Sequence, residues 1–211
     1  MTIRLHRGDL PDISRYRGAV AIDTETMGLE VGRDRLCVVQ LSPGDGSADV
    51  VQIPPRAGEA SNLKRLLADK SLLKIFHFAR FDLAVLQKTF GIMAEPVYCT
   101  KVASRLARTY TDKHGLKDLV REVLGQDLSK QQQSSDWGAL ELTEAQVAYA
   151  AADVLHLHAL KERLDAMLAR EGREQLAAAC FRFLPDRVRL DLGGFAAEDI
   201  FAHSSAIGLN H

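Results

Sequence analysis

Asp23 and Glu25 are the residues whose types and spacing most directly suggest chemistry. They follow the apolar run of residues 18–22, which is typical of a buried β-strand. Side chains two residues apart on a strand point to the same face, so both carboxylates can face one site. Such acids repel each other and resist desolvation, and a divalent cation relieves both costs. Because no His or Cys lies nearby in the sequence, these ligands favour Mg²⁺ or Mn²⁺ over zinc. The same pair would also fit a solvated polar turn.

Asp82, Tyr149 and Asp153 are the other candidates for such a site. Asp82 lies near the start of a predicted helix, where the helix dipole stabilises an anion, although many helices carry an acid there without any function. Tyr149 and Asp153 are four residues apart on a predicted helix and therefore share one of its faces. Alone, they could equally form a surface pair that supports the helix.

Taken together, these residues suggest phosphoryl chemistry with two metal ions. Two divalent ions about 3.5–4 Å apart stabilise both the attacking and the leaving oxygen of an in-line displacement. Asp23 is predicted to bridge the ions, with Glu25, Asp82 and Asp153 completing their ligand shells. Tyr149, whose ordinary pKa is about 10, is a poor base and is predicted to orient the attacking water.

The elements that must position these residues form a single α/β domain, a mixed sheet flanked by helices. Short connections between the first three strands predict an antiparallel meander. A capping box formed by Thr143 and Gln146 predicts the start of one long helix that continues to Gly172. We predict a domain of residues 1–184 and a C-terminal extension of residues 185–211, which could pack on a neighbouring subunit or on its own domain. The predicted strands are residues 18–22, 36–41, 49–53, 72–76 and 97–98, and the predicted helices are residues 63–67, 81–90, 100–107, 116–123 and 143–172.

Composition limits the partners that the protein can have. The 211 residues carry a formal net charge of −1, whereas proteins that grip long nucleic acids are usually basic. Any nucleic-acid ligand is therefore expected to be short. The three cysteines follow no metal-ligand spacing, which favours reduced thiols and a cytoplasmic location. The sequence shows neither a secretory signal nor an apolar run of membrane-spanning length.

Three segments resemble, in order, the three motifs of the DEDD superfamily of 3′→5′ exonucleases, and within it the ribonuclease D-like group. They are residues 22–26 (IDTET), 77–83 (HFARFDL) and 149–154 (YAAADV), the last in the form that carries tyrosine. The segments SDW at residues 135–137 and LTEAQ at residues 142–146 are also similar to the ribonuclease D pattern. The resemblance implies an RNase H-like fold and two-metal hydrolysis that releases nucleoside 5′-monophosphates.

Two departures from this group are visible. Few residues follow the long helix, whereas full ribonuclease D carries helical RNA-binding domains there, and Cys99 replaces an aspartate found in many relatives. Residues 27–29 (MGL) and 35–44 (RLCVVQLSPG) instead resemble the stand-alone nano-RNase C type. That resemblance implies a homo-oligomeric ring, octameric in this prediction, that cleaves very short RNA such as dinucleotides. Leu29 would then wedge against the bases, or it could be a partly buried loop leucine.

The substrate contacts are predicted from residues close to the motifs and from one basic cluster. The predicted contacts are Thr24, Leu29, His77, Arg105, Arg108 and Lys113. A solvated helix end explains the basic cluster equally well. A DNA exonuclease for repair and a catalytically silent nucleic-acid-binding homologue are the alternative functions. The silent alternative is disfavoured because all four acids and Tyr149 are present.

Overall fold

The computed structural model describes residues 2–56, 58–129, 131–132 and 134–203, which form one mixed β-sheet with helices on both faces. The strands are β1 Thr2–Arg7, β2 Ala19–Thr26, β3 Leu36–Ser42, β4 Ser47–Gln52, β5 Leu73–Phe76 and β6 Val97–Cys99. The helices are α1 Ser61–Ala68, α2 Ala79–Phe90, α3 Thr100–Ala107, α4 Leu116–Leu124, α5 Glu144–Leu155, α6 Leu157–Arg170 and α7 Glu174–Leu190, and a short π-helical segment, Asp191–Phe195, follows.

The strand order is β1-β4-β3-β2-β5-β6. β2, β3 and β4 are antiparallel neighbours, so the predicted meander is confirmed. β5 pairs parallel to β2, β6 pairs parallel to β5, and β1 pairs parallel to β4. The predicted mixed sheet is therefore confirmed, with β2 near its centre.

Two apolar cores cover the two faces of the sheet. One core packs α1, α2 and part of α7 against the sheet, and the other packs α3, α4, α5 and α6. β2 divides its side chains between them, with Val20 and Ile22 in the first core and Ala21 in the second. Because successive side chains of a strand alternate, Asp23 and Glu25 continue the row that begins at Ala21. Both acids therefore point towards the face that α5 covers.

The predicted capping box is present at the start of α5. The Thr143 hydroxyl accepts a hydrogen bond from the Gln146 backbone N–H at 3.2 Å, and Gln146 Oε1 accepts one from the Thr143 backbone N–H at 2.9 Å. Gln146 Nε2 also donates to Ser135 Oγ at 2.8 Å. This arrangement fixes both where α5 begins and how the segment before it lies on the helix.

The long helix predicted up to Gly172 is wrong in one respect, because it is two helices that meet at His156. The apolar stripe that supported the prediction reports which face is buried, and that face continues across the break. α7 passes through Pro185, so the predicted boundary between residues 184 and 185 lies inside a helix. The role of residues 185–211 as an extension stays a prediction, and residues 204–211 lie outside the described part of the chain.

β1 was not predicted, although its sequence TIRLHR alternates between polar and apolar residues over residues 2–6, as a strand does. It is an edge strand, largely exposed, and gains its stability from pairing with β4 rather than from apolar burial. Within the described ranges, no helix is both long and apolar enough to cross a membrane.

Candidate active site

Three carboxylates meet where β2 passes under α5. One oxygen each from Asp23, Glu25 and Asp153 lies within 4.8 Å of the others. The strand supplies two of them through its alternation, and α5 supplies the third. Tyr149, one helical turn before Asp153, lines the same cavity as Asp23 and Asp153. The pair of strand acids and the pair on the helix, which the sequence could only place separately, therefore share one site.

Asp82 enters the same acidic centre from α2. Its side chain is buried, at 3% exposure, and its Oδ1 accepts a hydrogen bond from the Thr24 hydroxyl at 2.6 Å. The negative charge of Asp82 contributes to the raised pKa of Glu25, which places the two groups in electrostatic contact. Thr24 was predicted to bind substrate, but its buried hydroxyl is occupied by Asp82, so this side chain acts inside the protein.

Gln40 is a polar contact of this centre that the sequence analysis missed. It lies opposite Asp23 in the antiparallel pair of β2 and β3, and its Nε2 donates to Asp23 Oδ2 at 2.9 Å. The side chain is fully buried. A lone glutamine inside an otherwise apolar strand is the signal that could have found it, because buried polar groups need a partner. Gln40 fixes the orientation of the Asp23 carboxylate.

The electrostatics of the four acids favour the binding of a cation. Burial is the main cause that raises the pKa of Asp23, Glu25, Asp82 and Asp153 above the ordinary carboxyl range. Repulsion by neighbouring acids raises the pKa of Glu25, Asp82 and Asp153 further. None of the ion pairs formed by the described residues involves these four acids. Clustered carboxylates without a basic partner fit hard divalent ions such as Mg²⁺ or Mn²⁺.

Tyr149 is held beside the acids as a protonated phenol. Burial, followed by the charge of Asp153, raises its pKa above the ordinary tyrosine value. Its ring centroid lies 6.1 Å from that of the buried Trp137, which packs against it. Its hydroxyl can therefore orient a water molecule by hydrogen bonding, but it cannot act as a base near neutral pH.

His77 follows β5 and also lines the cavity. Its Nδ1 lies 2.9 Å from the Thr100 hydroxyl. Burial, helped by the nearby positive charge of Lys101, lowers the pKa of His77 to about 3. The imidazole is therefore neutral near pH 7, so any contact with a phosphate would be a hydrogen bond without ionic attraction.

The acids open into a cavity of about 330 Å³. Its wall includes Phe78, Lys101 and Lys117, none of which the sequence analysis singled out. Phe78 lies inside the second motif, where the motif pattern drew attention to its neighbours, and the two lysines come from the helices that follow. Lys101 and Lys117 supply positive charge next to the acids, which the predicted basic cluster was expected to provide.

The predicted basic cluster lies elsewhere. Arg108 has no exposed side-chain surface, donates to Ser104 Oγ at 2.9 Å and to the Lys113 carbonyl at 3.0 Å, and forms an ion pair with Glu122. Its prediction as a substrate contact is contradicted, because these internal partners use its guanidinium. Arg105 and Lys113 are exposed, but neither lines the acidic cavity. Sequence spacing could not distinguish a buried arginine from a solvated one.

Leu29 lies in the loop between β2 and β3 and is 85% exposed. The alternative of a partly buried loop leucine is therefore wrong for the single chain. Hydrogen bonds from α2 hold this loop. Lys88 Nζ donates to the Val31 carbonyl and, at 2.6 Å, to the Gly32 carbonyl. Asp34 also accepts a hydrogen bond from the Glu30 backbone N–H at 3.0 Å. This hydrogen-bonded loop thus exposes the apolar Leu29 side chain just after the strand that carries Asp23 and Glu25.

A mixed sheet of this order with a cluster of four acids, of which Asp82 is buried and the other three are half-buried, defines the class of RNase H-like nucleases with a DEDD-type acidic centre. The sequence agrees, because the family described as "3'-5' exonuclease" matches residues 11–169. The chain belongs to this 3′-5′ exonuclease family. It is 37% identical over 154 residues to ribonuclease D of Granulibacter bethesdensis, a match that covers 73% of this chain but 38% of that protein. The chain thus corresponds to about two fifths of the length of these curated relatives.

Solved structures give a match over the whole length. NrnC of Brucella melitensis with bound Mg²⁺ is 59% identical, with a TM-score of 0.93, over 97% of this chain and 100% of that chain. The same Brucella protein bound to pGG is 60% identical, with a TM-score of 0.94 and the same coverage. Escherichia coli RNase D, an exoribonuclease involved in structured RNA processing, is 29% identical, with a TM-score of 0.74, over 83% of this chain and 46% of its own. The predicted fold and family are confirmed.

Proposed function

We propose that this protein is a 3′→5′ exoribonuclease that hydrolyses short RNA, down to dinucleotides, and releases nucleoside 5′-monophosphates. The observation that carries the proposal is the cluster of Asp23, Glu25 and Asp153, whose oxygens lie within 4.8 Å of one another beside the buried Asp82. The structural similarity to a Brucella nuclease bound to pGG supports a short substrate.

The four acids, Asp23, Glu25, Asp82 and Asp153, would hold two divalent ions, Mg²⁺ or Mn²⁺. When bound, such ions neutralise the carboxylates, activate water and stabilise the charge of the displaced oxygen. Gln40 keeps the Asp23 carboxylate in a fixed orientation through its 2.9 Å hydrogen bond. The Thr24 hydroxyl does the same for Asp82. These hydrogen bonds orient the ligand oxygens before an ion binds, which lowers the free-energy cost of reorganisation on binding.

The remaining side chains of the cavity would place the substrate. The Tyr149 hydroxyl, which is protonated at neutral pH, would orient the attacking water beside Asp153. Lys101 and Lys117 bring positive charge to the cavity wall, where a phosphate would lie. The formal net charge of −1 provides little attraction for a long polymer, so these local contacts must supply the affinity.

The substrate is tested by comparing 5′-labelled RNA of increasing length, from the dinucleotide to long oligomers, with DNA of the same sequences. We expect kcat/KM to be highest for the shortest RNA, because the acidic cavity has a volume of about 330 Å³ and the formal net charge of −1 offers a longer polymer little additional attraction. Equal rates at every RNA length would contradict the dinucleotide preference. Faster hydrolysis of DNA would favour the repair exonuclease, and no hydrolysis of either polymer would favour the catalytically silent homologue.

Leu29→Ala is expected to lower kcat/KM on a dinucleotide by roughly tenfold or more, since covering a leucine side chain on binding is worth about 1.5–3 kcal/mol. Leu140→Ala is the matched control, because Leu140 is also 85% exposed but lies in the segment before α5 rather than in the loop between β2 and β3. Steady-state kinetics with the same dinucleotide measures both variants. An unchanged kcat/KM for Leu29→Ala would rule out the wedge.

We also propose that the protein is a homo-oligomer, an octameric ring in the prediction, in which residues from 185 onwards pack on a neighbouring subunit. Large apolar side chains are exposed near this end of the chain, among them Phe183, Phe195 and Phe201. Such a surface is typical of a protein interface. Sedimentation equilibrium should give a mass several times that of one 23.3 kDa chain, and a monomer would contradict the proposal.

The three cysteines are free, in agreement with the proposed cytoplasmic location.

A further inference from the structure

Phe78 has a backbone conformation that is unfavourable for its residue type. Its φ of 68° and ψ of 49° lie in the left-handed region. A residue with a Cβ pays roughly 1–2 kcal/mol there, and a bulky residue is a true outlier, whereas Asn tolerates the region well. The ring does not recover this cost by burial, because the residue is 45% exposed. Strain that packing does not repay is typical of ligand-binding positions.

Phe78 lines two cavities. One is the acidic cavity with Asp23, Tyr149 and Asp153. The other is a second cavity of about 410 Å³. Val31, Arg80, Ala84, Asp191 and Leu192 also line the second cavity. Phe78 is the residue that the two linings share.

Lys101 distinguishes the two sides of this ring. Its Nζ lies 4.6 Å from the ring centroid, a cation–π distance, and Lys101 lines the acidic cavity but not the second one. The ammonium group therefore covers the ring on the side of the acids. The side towards the second cavity is left for another partner.

The walls of the second cavity suit a flat aromatic ligand. Val31, Ala84 and Leu192 are apolar. Arg80 and Arg187 both donate to the Asp191 carboxylate, Arg80 through hydrogen bonds of 2.5 and 2.7 Å. These contacts tie α2 to the segment after α7, so contacts within the chain hold this wall. Because the guanidinium group of Arg80 is already engaged with Asp191 and much of the remaining wall is apolar, the cavity suits a nucleobase better than a second phosphate.

We propose that Phe78 is a substrate-binding residue that stacks a substrate nucleobase in the second cavity, while Lys101 on its opposite side faces a phosphate. The inference rests on the proposed function, because the base belongs to the RNA whose phosphodiester lies at the acids. Stacking on an aromatic side chain accepts every base, since each base has a π face. The second cavity thus explains how a short RNA with few phosphates gains affinity.

Phe78→Asn and Phe78→Tyr test the stacking. Asn removes the ring but adopts the left-handed conformation readily. The melting temperature of the Phe78→Asn variant should therefore equal or exceed that of the wild type. Its KM for a diribonucleotide should rise roughly 5- to 100-fold, the range of one base–aromatic stack, while kcat changes much less. Tyr keeps the ring and should restore a KM close to that of the wild type. A purely structural role would instead lower the melting temperature and leave KM alone.

Dinucleotides that lack either the 5′ or the 3′ base provide the second test and need only the wild-type protein. One abasic substrate should show the same rise in KM that Phe78→Asn shows with the intact substrate, and that variant should gain no further defect on it. An unchanged KM in the Asn variant, or independent effects of the variant and of both abasic substrates, would overturn this inference alone. Failure of the wild type to hydrolyse any short RNA would overturn the proposed function, and this inference with it.

Discussion

Asp153→Asn should reduce the hydrolysis of short RNA in Mg²⁺ or Mn²⁺ by about a thousandfold or more. Asp153 provides one of three carboxylate oxygens that lie within 4.8 Å of one another, so its amide would remove a charge from the centre of the proposed metal site. Metal-assisted charge stabilisation is worth several kcal/mol in the transition state, and about 1.4 kcal/mol corresponds to a tenfold change in rate. Asp23→Ala should have an effect of the same size, because the Asp23 carboxylate belongs to the same cluster of oxygens as that of Asp153.

Glu144→Gln is the matched control for this prediction. Glu144 is an exposed acid in the first turn of the same helix, α5, and lies outside the acidic cavity. Its rate should stay close to that of the wild type in the same assay. Turnover retained by both Asp153→Asn and Asp23→Ala would remove the four acids from the proposed mechanism.

The metal-free stability of Asp153→Asn gives a readout that does not depend on activity. Burial and the neighbouring Asp23 raise the pKa of Asp153 in the folded protein. A carboxyl group with a raised folded pKa destabilises the fold once the pH exceeds the ordinary value of about 4, and the cost grows until the folded pKa is passed. We therefore expect the Asn variant to melt above the metal-free wild type at alkaline pH, with a difference that shrinks as the pH falls towards the ordinary carboxyl range.

Removal of divalent ions should abolish hydrolysis, and Mg²⁺ or Mn²⁺ should restore it and raise the melting temperature. At a concentration about 100 times Kd, one bound ion adds about 2.7 kcal/mol of stability. For a chain of this size that corresponds to a rise of roughly 5–10 °C. The rise should be larger at alkaline than at acidic pH, because the raised pKa values of Asp23 and Asp153 mean that protons compete with the ion.

Differential scanning calorimetry with and without Mg²⁺ measures this effect. Asp23→Ala combined with Asp153→Asn should lose the thermal shift, whereas Glu144→Gln should keep it. A shift of equal size in the double variant would place the stabilising ion elsewhere on the protein. Full activity in the presence of a strong chelator would exclude the metal-dependent mechanism.

The sequence by itself determined the family, the meander and the composition of the acidic centre. These features follow from local rules, since the alternation of a strand puts Asp23 and Glu25 on one face and the helical period puts Tyr149 next to Asp153. The capping box of Thr143 and Gln146 is equally local, and it fixed the start of α5 correctly. The sequence could not say that the strand pair, the helix pair and Asp82 would meet, except through the resemblance of its motifs.

The tertiary structure alone decided which polar and aromatic residues face the site. Arg108 and Lys101 look alike in the sequence, yet Arg108 is buried in internal hydrogen bonds and Lys101 lies beside the acids. Gln40 reaches Asp23 only through the pairing of β2 with β3. Phe78 lines two cavities only because separate parts of the chain come together around it. The physical reason is that exposure and partners depend on contacts between residues far apart in the chain. Local propensity and spacing carry no information about such contacts.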